Sequence, residues 1–456
     1  MQKAREQLQL FSVESENKPR QSKINRLEEQ DRAFHDWYRF VLSFPPHLVR
    51  QHLDEFGVDE QKLLLDPFCG TGTTLVEAKK NHISSVGLEA NPFAQFASAV
   101  KVNWEIDPDL LLEQAQRIAE TVQRKLQRRA SATDGQSALR TLPSEAAKLL
   151  IRNSISPLPL HKALILRDEI QKYAAAPFCA HARLALANAL VNSISNLRFG
   201  PEVGIGSIKH DVPVVRIWLD QVDKMVGDLR RVQAENYPAA KIHLADAREL
   251  SMYLDPRSID AVITSPPYPN EKDYTRTTRL ESVILGFINN RAELRTLKKR
   301  LVRSNTRAVF KADDDDEWVR NYPEVERIAQ EIEERRIALG KTSGFEKLYH
   351  RVTRLYFGGM ARHLAELRPF LRPGAHLAYV VGDQASYFQV LIRTGELLGD
   401  IAESLGYELA RIDLFRERFS TATRQYLREE TVVLRWNGNK RTSLSFGQTH
   451  LDFCPP

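Results

Sequence analysis

Asp66-Pro67-Phe68-Cys69-Gly70-Thr71-Gly72-Thr73-Thr74 decides how this chain is read. The short apolar run 62–65 leads into it, a helical pattern over 74–80 leaves it, and a second short strand, 84–88, ends in Glu89. Strand, glycine turn, helix and strand in that order open a parallel α/β sheet. The two glycines let the backbone turn tightly at the carboxyl end of a strand and let a ligand approach main chain with no Cβ in the way. A phosphate-cradling loop needs a lysine after its last glycine, where this chain has Thr73-Thr74. A dinucleotide fingerprint needs a third glycine, where the chain runs on through Glu77 and Ala78. What fits is a cofactor with a charged amino-acid end and a ribose: Asp66 can meet an ammonium group, and Glu89 can accept from both ribose hydroxyls.

Working outward, the next strands are expected at 241–244, before Asp246, and at 259–264, before Ser265-Pro266-Pro267-Tyr268. The stretch between Glu89 and Lys241 is mostly helical in period (110–126, 161–173, 180–197) and far exceeds the dozen or so residues a crossover needs, so it reads as an insertion. A second insertion runs over 271–350 and holds the acidic run 313–317. The α/β pattern then resumes with a helix at 359–371, a Pro373-Gly374 turn, a strand at 375–381, a helix at 388–405 and strands at 407–414 and 431–436. The expected organisation is an N-terminal arm and helix (1–60), a core of 61–104, 236–270 and 351–436, a helical insertion (105–235), a basic insertion (271–350) and a tail (437–456). The fold class is α/β, a Rossmann-like doubly wound sheet carrying two mostly helical insertions.

At 42% hydrophobic and 27% charged residues, the composition is that of a folded globular protein and excludes wholesale disorder. No apolar run approaches the roughly 20 residues that span a bilayer, and the polar start offers no secretion signal, so no membrane partner is expected. Cys69, Cys179 and Cys454 are too few and too scattered for a disulfide framework or a zinc site, which fits a reducing cytoplasm and no metal. Net charge is +6, but it is local. Between Glu271 and Lys311 eleven Lys/Arg face four acids, leaving the rest of the chain nearly neutral. A solvated basic face is one reading of that segment. Contact with the phosphates of a nucleic acid is the reading its place after Tyr268 favours.

The 66–74 stretch resembles the cofactor motif of the S-adenosylmethionine-dependent amino-methyltransferases that act on DNA bases. The likeness extends to Gly87-Leu88-Glu89-Ala90-Asn91-Pro92, similar to the family's acidic second-strand motif, and to Phe44-Pro45-Pro46-His47-Leu48-Val49, similar to the helix before its cofactor strand. It covers 34–104, 236–280 and 355–436. It implies that Asp66, Phe68, Gly70, Gly72, Thr73 and Glu89 bind S-adenosylmethionine, with Asp246 reading the adenine or else standing as an ordinary surface Asp. Ser265, Pro266, Pro267 and Tyr268 match the family's catalytic motif. Gly200 to His210 is either a loop over DNA or a plain surface loop.

The chemistry accounts for these residue types. An exocyclic base amine is a poor nucleophile because its lone pair is delocalised into the ring. Two acceptors aimed at its hydrogens, the Ser265 hydroxyl and the Pro266 carbonyl, would bend it towards a tetrahedral form, while the two prolines present no N–H to repel it. Tyr268 offers a face on which an extruded base can stack. Many adenine-N6 enzymes of the resembled family have Asp or Asn where this chain has Ser265, so the resemblance tilts the target to cytosine N4 over adenine N6. Guanine N2 of RNA, or a silent DNA-binding subunit of a restriction or defence complex, are the alternatives. The cofactor motif precedes the catalytic one, whereas Ser-Pro-Pro-Tyr enzymes more often have the reverse order. Target recognition is therefore expected in 105–235 or 271–350. DNA contacts are expected from Lys272, Arg276, Arg279, Lys298, Lys299 and Arg300.

Overall fold

The computed structural model describes residues 27–40, 43–130, 139–199, 203–420 and 423–438. Residues 1–26 of the expected arm, Gly200, and the tail from residue 439 with Cys454 lie outside them. In chain order the elements begin with α1 (Pro46–Glu55), β1 (Leu63–Asp66), α2 (Thr73–Lys80), β2 (Ser84–Glu89) and α3 (Pro92–Lys101). Then come α4 (Pro108–Ala130), α5 (Ser144–Ala147), α6 (Pro157–Gln171), α7 (Cys179–Ala189), the hairpin of β3 (Leu197–Phe199) and β4 (Val203–Ile205), and α8 (Val214–Val232). β5 (Ala240–Leu244) and β6 (Ile259–Thr264) follow, then α9 (Tyr274–Thr277), α10 (Arg279–Ile284), α11 (Arg291–Lys299), α12 (Pro323–Ala338) and α13 (Tyr349–Leu367). β7 (Leu371–Gly382), α14 (Thr394–Ser404), β8 (Glu408–Ser420) and β9 (Gln425–Trp436) complete the fold.

Seven strands form one sheet in the order β5-β2-β1-β6-β7-β9-β8. The first five are parallel, and β9 runs antiparallel to both of its neighbours. From β1 the chain works outward through β2 to β5, then returns to place β6 and β7 on the other side of β1. The direction reverses between β1 and β6, and a crevice at their carboxyl ends is where such a sheet receives its ligand.

The central strands are apolar on both faces because helices cover both. Alternation sorts their side chains. Leu64, Ala261, Ile263, Ala378 and Val433 pack with Val49 and Leu53 of α1 and Ala78 of α2. Leu65, Val262, Leu377, Tyr379 and Val432 pack with α13 and α14. Helices α4, α6, α7 and α8 share one apolar core with Leu75 of α2, Phe93 of α3 and the aromatic cluster Phe34, Trp37 and Tyr38. Among the described residues no helix is long and apolar enough to cross a membrane.

Several expected boundaries shift, each for a local reason. The helix expected at 388–405 begins only at Thr394, because Phe388 and Gln389 have positive φ (52° and 63°) and Gln384 bridges to Ile392. The helix expected from 359 starts ten residues earlier, at Tyr349. Gly358, in its middle, lies under the acidic run, where an added Cβ would collide with the Asp315 carbonyl. Pro373-Gly374 is a bulge inside β7 rather than a turn before it: Leu371 faces Ile259, His376 faces Ala261, and Gly374 has φ 90°. The strands expected to end at 414 and begin at 431 extend to Ser420 and from Gln425. The basic stretch after residue 273 divides into α9, α10 and α11, because Asp273 and Asn290 cap new helix starts and Gly286 has φ 82°.

Candidate active site

A cavity of ≈ 290 Å³ opens at the carboxyl ends of β1, β2 and β6. The glycine turn and the Ser-Pro-Pro-Tyr loop, far apart in sequence, form two of its walls. Phe68, Gly70, Thr73, Glu89 and Asp246 line one end, and Ser265, Pro266, Pro267 and Tyr268 line the other. Asp66 and Gly72 lie just behind this surface.

At the first end, β1 delivers a fully buried Asp66, whose Oδ1 accepts from the Thr264 hydroxyl at 2.6 Å and from the Phe68 amide at 3.1 Å. Its Oδ2 has no partner among the described residues, and burial lifts the carboxyl to about 6. Gly70 and Gly72 turn the chain with φ 52° and 82°; a Cβ on Gly72 would press on the Ser98 hydroxyl, while one on Gly70 would meet nothing. Glu89 ends β2 with Oε2 accepting from the Gly70 amide at 2.9 Å and Oε1 from the Asn91 amide at 2.7 Å. Burial pushes its carboxyl up to about 7, against those bonds. An ionised carboxylate has about four acceptor positions, so two are left for a ligand. The orphaned Asp66 oxygen, the open turn at Gly70 and the spare acceptors of Glu89 suit an ammonium group and a ribose diol.

The turn is propped from behind. Lys101, buried in α3, donates from Nζ to the Thr71 carbonyl at 2.8 Å, and burial depresses its ammonium to about 7. Phe68 meets the ring of His363 edge-on at 5.0 Å, and that imidazole is fixed between the Ala247 carbonyl and the Tyr379 hydroxyl. Burial holds His363 low, at about 4, so it is a neutral prop.

At the other end, the Ser265 hydroxyl donates to the Val380 carbonyl at 3.0 Å. With its proton so placed, the oxygen is left as an acceptor. The Tyr268 amide donates to the Tyr274 hydroxyl at 3.0 Å, and the Tyr268 ring covers Gly382, where a Cβ would stand 3.1 Å from Cε2. Burial raises the Tyr268 phenol well above its ordinary value and Tyr274 to about 12, so both stay neutral. The loop continues to Glu271, which is tied to Thr306, and Phe40, Phe44 and Phe415 enclose the remaining side.

Two sets of charges are placed in ways their sequence positions do not reveal. Asp246 is gripped by Arg248, with Nε at 2.9 Å and Nη2 at 2.6 Å, and Arg248 also pairs with Asp315 of the acidic run. Of the basic set, Lys272, Lys298 and Arg300 line the cavity. Lys298 is already paired with Asp273 at 2.7 Å, and Arg279 is largely buried against Thr275. Arg276 reaches towards the Val203 carbonyl, while Lys299 and Arg300 are exposed. Sequence reasoning missed Lys101, Arg248, Arg416 and Arg418 as parts or neighbours of this site. Only Lys101, a lone charge on an otherwise apolar helix, carried a signal. Among the described residues no cluster of His, Cys, Asp and Glu is arranged to hold a metal ion, and Cys69 is a buried free thiol whose pKa burial drives well up.

A mostly parallel sheet thus brings the glycine turn and the Ser-Pro-Pro-Tyr loop onto one cavity, the arrangement that the resemblance to DNA amino-methyltransferases leads one to expect. A family model described as DNA methylase matches residues 2–98. The Type II methyltransferase M.BsoBI of Geobacillus stearothermophilus is 24% identical over 440 residues, covering 89% of this chain and 85% of the relative. The Type II methyltransferase M.AvaI of Nostoc is 22% identical over 407 residues, covering 82% and 79%. The Type II methyltransferase M.MjaII of Methanocaldococcus jannaschii is 33% identical over 76 residues, 16% of this chain and 14% of the relative. The match to a DNA methylase model over residues 2–98 and the similarity of most of the chain to Type II methyltransferases agree with the resemblance read from the motifs.

Proposed function

We propose that this protein transfers a methyl group from S-adenosylmethionine to the exocyclic N4 amine of cytosine in DNA, acting in the cytoplasm. The observation that carries the proposal is Ser265, which lines the cavity with its hydroxyl donating to the Val380 carbonyl, a geometry that leaves the oxygen acceptor capacity. When bound, S-adenosylmethionine supplies an electrophilic methyl group on sulfur. The rest is done by the chain. Asp66 and Glu89 hold the ammonium and ribose ends, and Asp246, oriented by Arg248, faces the adenine. Tyr268 stacks the extruded base, recovering roughly 1–3 kcal/mol of the cost of unstacking it. Ser265 and the Pro266 carbonyl accept the amine's hydrogens, directing its nitrogen lone pair at the methyl carbon. The amine so oriented would release one proton to water on taking up the methyl group, with S-adenosylhomocysteine left as the other product. Cys69 lines the cavity wall but is nearly buried, and burial keeps its thiol protonated, so it does not serve as a nucleophile in this reading.

In this reading 105–235 and 271–350 are insertions in the catalytic core, the second bearing DNA-facing Lys272, Lys299 and Arg300, and a companion nuclease is the natural partner. The test is mass spectrometry of nucleosides from unmethylated DNA treated with the protein and S-adenosylmethionine. N4-methylcytosine is expected. N6-methyladenine would transfer the same chemistry to the other amine, and 5-methylcytosine would overturn the mechanism.

A further inference from the structure

Strands β8 and β9 continue beyond the sheet that carries them. β7 pairs with β9 only up to Gly382 against Glu429, whereas β8 and β9 go on pairing to Ser420 against Gln425. The extra length leaves the sheet as a two-stranded ribbon at the carboxyl edge, the edge that bears the cavity. Its base is part of the cavity wall, through Phe415 and an Arg416–Glu429 pair with both bonds under 2.8 Å.

The outer end of the ribbon has a different character. Phe419 and Tyr426 face each other across it, ring centroids 5.2 Å apart, and are 49% and 54% exposed. Arg418, which also lines the cavity, and Arg424 are exposed near them, and neither side chain bonds to any described residue. A two-stranded ribbon has little core of its own, and bare aromatics on such an edge invite aggregation. Paired rings flanked by unneutralised guanidinium groups match a nucleic acid, which offers phosphates to the arginines and flat apolar bases to the rings. Continuity with the cavity wall says where that nucleic acid lies.

We propose that the outer end of the β8–β9 ribbon is a DNA-binding surface: Arg418 and Arg424 hold backbone phosphates next to the target nucleotide, and Phe419 and Tyr426 pack against bases left exposed when the target leaves the stack. The inference rests on the DNA methyltransferase reading and adds a contact surface outside both the cofactor turn and the basic segment.

The test compares two double variants, Arg418→Ala/Arg424→Ala and Phe419→Ala/Tyr426→Ala, with the wild-type chain. Binding to unmethylated duplex DNA is followed by fluorescence anisotropy over a range of salt, with S-adenosylhomocysteine present, and S-adenosylhomocysteine affinity is measured by calorimetry. The arginine variant is expected to reduce the slope of log K against log salt by about 1.8, at about 0.9 per phosphate contact. The aromatic variant is expected to bind DNA at least about tenfold more weakly with an unchanged slope. Both should keep the wild-type melting temperature, which shows that the fold is intact, and the aromatic variant should also keep wild-type S-adenosylhomocysteine affinity. If both bind DNA with wild-type affinity and slope, the surface is refuted while the methyltransferase reading stands. A wild-type chain that binds S-adenosylhomocysteine but no DNA overturns both.

Discussion

Replacing Glu89 by alanine removes a carboxylate that does two jobs, fixing the Gly70 and Asn91 amides and presenting two spare acceptor positions to the cavity. A hydrogen bond to a charged acceptor contributes roughly 1.5–3 kcal/mol, so losing two from a ribose diol comes to about 3–6 kcal/mol. At about 1.4 kcal/mol per factor of ten, that is about a hundredfold or more in affinity. Water entering the vacated space returns part of it, so about tenfold is the floor. The carboxyl has been raised by burial to about 7, which gives the effect a pH signature. As pH falls through that value Glu89 gains a proton and loses acceptor capacity, so wild-type cofactor affinity should weaken below it and the alanine variant should lack this dependence. Stability moves the opposite way. A carboxyl raised in the folded state favours folding below its unfolded value of about 4.5 and loses that contribution as pH rises through about 7. Titration calorimetry with S-adenosylhomocysteine on either side of that value measures the first trend, and thermal melts of the free protein measure the second. An unchanged Kd in Glu89→Ala would refute the assignment of this carboxylate to the cofactor.

Tyr268→Ala should lower kcat about tenfold or more by removing the stacking face, and Ser265→Ala should lose part of the rate, both with S-adenosylhomocysteine affinity intact; single-turnover methylation reads this, and a full-rate Tyr268→Ala would discard the stacking role. Gly358→Ala should destabilise by about 1–3 kcal/mol, since its Cβ would collide with the Asp315 carbonyl, whereas Gly227→Ala, with open space in α8, should stabilise by up to about 1 kcal/mol. Urea midpoints of the two compare them directly. Lys299→Glu with Arg300→Glu should weaken binding to all DNA sequences and flatten its salt dependence by about two units of slope, while Lys298→Glu should lower the melting temperature by abandoning Asp273 to a second carboxylate.

The parts of this molecule legible in its sequence are those that local chemistry dictates. The glycines at 70 and 72 announce a turn that only they tolerate, and the apolar run 259–264 ending in Ser-Pro-Pro-Tyr gives strand β6 to the residue. Where tertiary partners decide, the sequence is silent. Nothing in Arg248 indicates that it bridges Asp246 to Asp315, 67 positions further on. Lys298 and Arg279 read as free cations until Asp273 and Thr275 are seen beside them. The outer halves of β8 and β9 are rich in Arg and Glu because they have left the core, so they lack the apolar pattern by which strands are recognised. The segment 388–393 has helical composition, but the Gln384–Ile392 bridge holds it out of a helix.

The hydrogen bond between Asp66 and Thr264 joins residues 198 positions apart, and Ser265 waits a further 115 for the Val380 carbonyl. At roughly 5–20 residues per second, a ribosome takes roughly 15–60 seconds to travel from the cofactor turn to the strand that completes the amine-binding end. Through that interval the nascent chain has the glycine turn but not the Val380 carbonyl that orients the Ser265 hydroxyl. The two walls of the cavity can therefore meet only after β7 has been made.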